Sequence, residues 1–304
     1  MSFIDFGEKI EVKINEPLSK HSTFRIGGCA EYAVFPKNVD ELIFAINVCK
    51  NQEKRYIIVG NGSNLLFDDQ GFCGVVIFTT KMCSCEYIHR DGAVYLKTEC
   101  GKMLTELAGE AGKKHSLSGL EFAYGIPGTV GGAVYMNAGA YGGQMSDVIF
   151  ETEYLDTSDG TINMLSNVEQ RLAYRYSVFQ EHPEYIIVAT TLRLTEGDSE
   201  KIFELMNKNM SSRKEKQPLD LPNAGSTFKR PGENIFVGKL IQDAGLKGYT
   251  VGGAQISEKH AGFTVNIGGA TSRDVLSLIE HTKTVILEKY GVVLESEIIY
   301  VPYN

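Results

Sequence analysis

The amino-acid sequence predicts a mixed fold of strands and helices divided into two or three domains, and three observations carry that expectation. The 304 residues exceed the length at which one core usually suffices. Short β-branched runs such as Tyr56–Val59 alternate with longer amphipathic segments such as Ser199–Lys216. Between them lies GIPGTVGGAVYMNAGAYGG, from Gly125 to Gly143, which is too apolar for a linker. Glycine costs ~0.5–1 kcal/mol relative to alanine inside a helix or strand, so this run marks turns or a close backbone approach. It reads as a loop-rich binding wall, because successive exposed amides favour anions, above all phosphates.

Taken in order, HSTFRIGGCA from His21 sets Arg25 beside a Gly-Gly pair, a weak signal alone. A helix follows, with Asn38 as N-cap, Glu41 three positions on, and Leu42, Ala45, Ile46 and Cys49 on one face. Strand Tyr56–Val59 runs into Gly60-Asn61-Gly62-Ser63-Asn64-Leu65. The dinucleotide fingerprint needs a third glycine and a helix at that point, and neither is present. A phosphate-cradling turn between strands suits these residues better, with Val75–Phe78 as the next strand. Val94 to Thr98 reads as a strand and Met103 to Ala111 as a helix ended by Gly112. Past the glycine stretch and its Gly125-Ile126-Pro127-Gly128 turn, Val148 to Asp156 and Thr161 to Leu165 form a hairpin around Ser158-Asp159-Gly160.

Tyr174-Arg175-Tyr176-Ser177 places one arginine between two tyrosines, a pattern that also fits a surface arginine stacked on rings. Tyr185 to Leu194 is a strand, and Ser199–Lys216 a helix with Ile202, Phe203, Met206 and Met210 inward, stopped before Pro218. Its polar end is the expected domain boundary. Leu221 to Pro231 reads as a polar, basic loop, and Val237 to Ala244 as a helix capped by Gly245. Strands near Gly252 to Ile256 and Gly262 to Asn266 precede an amphipathic helix, Ser272–Tyr290, ending at Gly291. A last strand, Val292 to Val301, puts Glu295, Glu297, Ile299 and Val301 on one face, either an edge device or a site.

Composition narrows the function classes. A hydrophobic share of 43% against 22% charged suits a soluble globular protein. Net charge −8 and pI near 5.4 oppose general nucleic-acid or membrane-surface binding, which needs a basic field. An anionic ligand therefore has to be held by local amides and single Lys or Arg side chains. The N-terminus lacks the layout of a signal peptide and no run spans a bilayer, so the expected location is cytoplasmic. Six cysteines without a CxxC pair or zinc spacing are expected to be reduced and mostly buried. Cys83 and Cys85 flank one serine, a spacing shared by redox pairs and chance surface pairs. No metal site is expected.

HSTFRIGG from His21, VGNGSNLL from Val59, the glycine stretch from Gly125, YRYS from Tyr174, NAGSTFKRP from Asn223, GLKGYTVGGAQISEKHAGFTVN from Gly245 and LESE from Leu294 jointly resemble one family. It is the UDP-N-acetylenolpyruvoylglucosamine reductases, flavoproteins of bacterial cell-wall synthesis, and the motifs follow the family's order over nearly the whole chain. The resemblance implies an α+β fold: a vanillyl-alcohol-oxidase (PCMH) type FAD-binding domain of two subdomains, residues 1–80 and 81–198, and a C-terminal α+β substrate-binding domain, residues 199–304.

It further implies non-covalent FAD held by Arg25, Gly60, Asn61, Gly62, Ser63, Asn64, Leu65, Gly125, Ile126, Pro127, Gly128, Thr129, Gly132 and Ala133, with NADPH as co-substrate. Arg175, Ser226 and Glu297 match the catalytic positions, while Tyr141, Asn223, Lys229, Gln255 and His260 are implied contacts of the UDP sugar. One strand and one helix fill the chain from Arg175 to Ser226, so the sequence resembles the shorter type of the family, which lacks a tyrosine-bearing lid loop. Many members carry an arginine two residues after the glutamate where Ile299 stands here. No obligatory protein partner is evident. The alternatives are a flavin oxidase of another small molecule on the same fold and a catalytically silent binding module.

Overall fold

The structure is a computed structural model and describes residues 4–7, 10–90, 92–232 and 234–304. The N-terminal stretch read against a leader includes residues 1–3, 8 and 9, which lie outside the described residues. The chain forms two compact units. The first gathers Met1–Lys13, Ala33–Asn61 and Val75–Ser212, and the second gathers Ile14–Tyr32, Gly62–Gly74 and Arg213–Asn304. These units follow different boundaries from the consecutive ranges 1–80, 81–198 and 199–304, because compactness follows contacts between segments distant in sequence.

In the first unit a six-stranded sheet has the order Thr161–Ser166, Ile149–Asp156, Tyr185–Glu196, Ala93–Glu99, Cys85–Arg90, with Leu117–Ser118 pairing Tyr185–Glu196 off that path. The hairpin expected around Ser158-Asp159-Gly160 is present, with Asp156 opposite Thr161. Its turn is closed by side chains: Asp156 accepts from the Ser158 amide at 2.8 Å and Asp159 from the Thr161 amide at 2.9 Å. Strand Tyr56–Val59 runs parallel to strand Phe72–Phe78, Tyr56 opposite Val75 and Val59 opposite Phe78. Helix Val39–Asn51 starts where Asn38 Oδ1 accepts from the Glu41 amide at 2.9 Å, and it buries Leu42, Ala45, Ile46 and Cys49 as its spacing requires.

Three expectations in this unit are corrected. The helix expected to stop at Gly112 continues, as Leu104–His115, to a left-handed Ser116 (φ +54°). Gly112 serves helix packing instead, since a Cβ there would lie 2.7 Å from Met206 Cε and 2.8 Å from Ile202 Cγ2. In helix Ser199–Lys216, Ile202 and Met206 are buried but Phe203 is 42% exposed, its ring under Lys113 Nζ at 4.7 Å from the centroid. The thiols are also less buried than expected: in this unit Cys49 and Cys100 are buried while Cys83 and Cys85 are exposed, and in the second unit Cys73 is half-buried and Cys29 exposed. Burial pushes the Cys49 and Cys100 thiols up to about 12.

The second unit is built on an antiparallel sheet in the order Asn223–Ser226, Phe263–Asn266, Ala254–Ile256, Thr250–Val251, against helices Val237–Asp243 and Ser272–Tyr290. Its core includes Phe24, Leu66, Phe228, Ile241, Leu278 and Ile286. The long helix matches its expected span, with a Thr271–Asp274 capping box and a left-handed Gly291 (φ +65°). Two expectations fail here. The segment read as a loop from Leu221 contains strand Asn223–Ser226, irregular in register between those residues and therefore without a clean alternation. The last strand is only Ile299–Val301, parallel to Leu65–Phe67.

Candidate functional site

The glycine stretch, expected to be a loop-rich wall, contains a helix, Val130–Tyr135. The helix exists because the backbone before it is docked: Leu104 donates to Gly128 O at 3.0 Å, Val130 to Lys102 O at 2.9 Å and Gly131 to Cys100 O at 2.8 Å. Thr129 then caps it, its Oγ1 accepting from the Gly132 amide. Against this cap lies the end of strand Tyr56–Val59. A Cβ on Gly60 would lie 2.2 Å from Thr129 Oγ1, so only glycine fits, and Asn61 Nδ2 donates to Pro127 O at 2.7 Å. Gly60 and Asn61 are thus joined to the glycine stretch. Among the described residues the backbone N–H groups of Asn61, Gly128 and Thr129 donate to no acceptor.

The same unit carries Arg175 at the tip of a two-residue turn. Ala173 and Tyr176 exchange both backbone hydrogen bonds at 3.1 Å, and Arg175 is left-handed at φ +55°. The guanidinium carbon lies 5.1 Å from the Tyr174 ring centroid, the stacking that the sequence suggested. Tyr176 and Arg171 both hold Glu181, and this keeps the Glu181 carboxyl below its usual range. Tyr141, in the tight hairpin after the helix, is also left-handed at φ +52° and 42% exposed. The residues that hold the arginine turn are Asn137, Ser177 and Gln180, whose side chains bond backbone carbonyls, a role that leaves no recognisable spacing in the sequence.

In the second unit Gly62–Leu65 packs on the His21–Arg25 segment. A Cβ on Gly62 (φ +59°) would lie 2.1 Å from His21 O, the Thr23 amide donates to Gly62 O at 3.4 Å, and Ser22 Oγ donates to Leu65 O at 3.5 Å. Arg25 is left-handed at φ +56°. The backbone N–H groups of Gly62, Ser63 and Asn64 donate to no acceptor among the described residues. Asn64 bridges to the catalytic candidates, its Nδ2 donating to Glu297 O at 3.0 Å.

Glu297 in turn donates its amide to Thr227 O at 2.9 Å, which sets the segments of Ser226 and Glu297 side by side. Thr227 is buried and its Oγ1 donates to Thr264 Oγ1 at 3.0 Å, which anchors this junction to the neighbouring strand. Ser226 is half-buried at the strand end, and its hydroxyl makes no hydrogen bond among the described residues. The structure separates the two glutamates: Glu297 is half-buried, while Glu295 is exposed and ion-paired to Lys229 at 2.5 Å.

The remaining predicted substrate contacts of this unit are tied to their own surroundings. Asn223 bonds the Pro218 and Leu221 carbonyls and the Gly225 amide. Gln255 bonds Thr250 Oγ1 at 3.1 Å. His260 Nδ1 accepts from the Gly262 amide at 3.1 Å, and burial holds its pKa below the usual histidine value. Among the described residues no group of three or more His, Cys, Asp or Glu is placed to hold a metal ion. Helix Ser199–Lys216 and strand Tyr185–Glu196 fill the chain between Arg175 and Ser226, with short connections.

A family model described as "FAD binding domain" matches residues 30–166, and one described as "UDP-N-acetylenolpyruvoylglucosamine reductase, C-terminal domain" matches residues 217–301. The chain is 47% identical over 285 residues to the UDP-N-acetylenolpyruvoylglucosamine reductase of Caldanaerobacter subterraneus, covering 94% of this chain and 92% of that protein. It is 48% identical over 298 residues to that of Caldicellulosiruptor saccharolyticus, covering 97% and 94%. The crystal structure of the reductase from Thermus caldophilus matches with a TM-score of 0.78 at 33% identity, over 97% of this chain and 99% of that one. A cholesterol oxidase from B. sterolicum, 10% identical with a TM-score of 0.50, covers 64% of this chain and 39% of its own, and shares the fold alone. The fold is α+β, with an FAD-binding domain of the vanillyl-alcohol-oxidase type. By identity over nearly its whole length, the chain belongs to the UDP-N-acetylenolpyruvoylglucosamine reductase family.

Proposed function

We propose that the chain reduces the enolpyruvyl group of UDP-N-acetylglucosamine enolpyruvate to UDP-N-acetylmuramate at the expense of NADPH, through non-covalently bound FAD, in the synthesis of peptidoglycan precursors. Its proposed setting is the cytoplasm, where the UDP sugar and NADPH are both soluble, and no nucleic acid or obligatory protein partner is proposed. No helix among the described residues is long and apolar enough to cross a membrane.

The residues fit FAD. Amides that donate to no acceptor among the described residues, at Asn61, Gly128 and Thr129 in the first unit and at Gly62, Ser63 and Asn64 in the second, each suit phosphate oxygens, and Gly60 and Gly62 keep those turns free of Cβ atoms. Arg25, Leu65, Gly125, Ile126, Pro127, Gly132 and Ala133 complete the proposed FAD contacts. When bound, FAD would supply the two-electron hydride chemistry that links NADPH to the substrate.

Hydride arrives at the terminal vinyl carbon, breaking the C=C π bond and leaving negative charge on the adjacent carbon and its carboxylate. A proton then completes the new C–H bond, so one NADPH and one proton are consumed per sugar. Arg175 presents a planar fork to the carboxylate and the developing enolate, and one such donor is worth about 3–4 kcal/mol. Ser226 delivers the proton; a weak acid serves because the acceptor is strongly basic and close. Glu297 orients and polarises the same centre.

The observation that carries this assignment is the clamp in the second unit: Glu297 is fixed through its amide to Thr227 O and through its carbonyl to Asn64, and the Ser226 hydroxyl is uncommitted among the described residues. Tyr141, Asn223, Lys229, Gln255 and His260 contact the UDP sugar in this proposal. Lys229 exchanges an exposed ion pair, of ~0–1 kcal/mol, for a phosphate. The purified protein is expected to be yellow and to oxidise NADPH slowly until the enolpyruvyl sugar is added. Rapid oxygen consumption without the sugar would favour an oxidase instead.

A further inference from the structure

Arg175 stands on backbone that an arginine adopts only with support. Its turn has two residues at the tip, and the left-handed φ of +55° is the kind that glycine or asparagine takes readily and arginine does not. Support comes from the end of the glycine stretch. Asn137 is 1% exposed, its Nδ2 donates to Ala173 O at 3.0 Å and its Oδ1 accepts from the Ser146 amide at 2.9 Å. On the other side of the turn Gln180 Nε2 donates to Arg175 O at 3.1 Å and to Tyr135 O at 2.8 Å, and Ser177 Oγ also donates to Tyr135 O at 2.7 Å. Asn137 is itself left-handed at φ +40°, immediately after helix Val130–Tyr135 and Met136. A buried amide that uses both ends on backbone groups of two separate segments is a joint, and here it joins the glycine wall to the arginine turn.

We propose that Asn137 and Gln180 are positioning residues that set Arg175 against the glycine wall, through the hydrogen bonds to Ala173 O and Arg175 O. The proposal rests on the catalytic role assigned to Arg175. Neither residue reaches the substrate in it; both act by fixing where the guanidinium projects. The helix of the glycine wall and the arginine then keep one mutual geometry, which Tyr135, Met136 and Asn137 transmit. A displacement near 1 Å in such a group costs about a hundredfold in rate.

Two conservative variants test this. Asn137→Asp retains the acceptor for the Ser146 amide but loses the donor to Ala173 O, and Gln180→Met keeps length while losing both donors. Each is compared with the parent and with Arg175→Ala for thermal unfolding, flavin content, flavin reduction by NADPH, reoxidation by the enolpyruvyl sugar, and calorimetric affinity for that sugar. Expected are normal flavin content and reduction by NADPH, with reoxidation slowed about 10- to 100-fold. In the Arg175→Ala background neither change slows reoxidation or weakens sugar binding further, because the group they position is gone. Should Asn137→Asp fail to fold, Gln180→Met carries the same test. Parent-like reoxidation in a folded variant, or an equal further loss on top of Arg175→Ala, overturns the positioning role alone. Parent-like reoxidation by Arg175→Ala overturns the role of Arg175, and the positioning role with it.

Discussion

Ser226→Ala should separate chemistry from folding. The hydroxyl makes no hydrogen bond among the described residues and the side chain is half-buried at a strand end, so its loss strands no partner. The neighbouring junction is unaffected, because Thr227 holds both Gly262 and Glu297 through its backbone. Stability should therefore change by no more than ~0.5 kcal/mol. Removing a positioned general acid costs about 10²–10⁴ in rate, or ~3–5 kcal/mol. The assay is anaerobic stopped-flow of the two half-reactions, with thermal unfolding as the control. Flavin reduction by NADPH should match the parent, while reoxidation by the enolpyruvyl sugar slows by at least ~10². Unchanged reoxidation would show that the proton comes from elsewhere, and a large drop in melting temperature would show that the hydroxyl has a structural partner.

Other consequences are equally specific. Gly60→Ala forces a Cβ to 2.2 Å from Thr129 Oγ1, an overpacking of about 1–3 kcal/mol, and should lower flavin retained per chain on purification; retention equal to the parent would contradict the role of that turn. His260 has its pKa lowered from 6.5 by burial and uses Nδ1 as an acceptor, so its contribution to stability is complete above pH 6.5 and is lost as pH falls. Thermal unfolding from pH 7.5 to 5 should fall more steeply for the parent than for His260→Gln, and parallel curves would refute the burial argument. Thiol titration of the native protein should find Cys29, Cys83 and Cys85 reactive and Cys49 and Cys100 protected until unfolding, the latter two being pushed up to about 12; rapid reaction of Cys100 would mean that its site opens.

Elements were legible where local chemistry decides them. Asn38 with Glu41, the Thr271 to Asp274 box and Gly291 bound their helices by side-chain and backbone preferences that need no distant partner. Helix Val130–Tyr135 was not legible, because its glycines argue against it and the stabilising bonds come from Cys100 and Lys102, far back in sequence. Strand Asn223–Ser226 was hidden by polar residues and an irregular register. Phe203 looked inward by periodicity, yet its neighbour Lys113 satisfies it at the surface. The same limit applied to the site. Pattern alone could not choose between Glu295 and Glu297, and it is the ion pair to Lys229 and the greater exposure that set Glu295 apart. Asn137 and Gln180 left no signal, since one amide bonding a carbonyl looks like any polar loop residue.

In the proposed reaction, hydride taken from NADPH leaves this protein on an enolpyruvyl UDP sugar. The most direct test is to bleach the purified yellow protein with NADPH under anaerobic conditions and then add that sugar. The yellow absorbance should return as UDP-N-acetylmuramate forms, one sugar per flavin. A protein that stays bleached with the sugar and recovers only on admitting oxygen would contradict it.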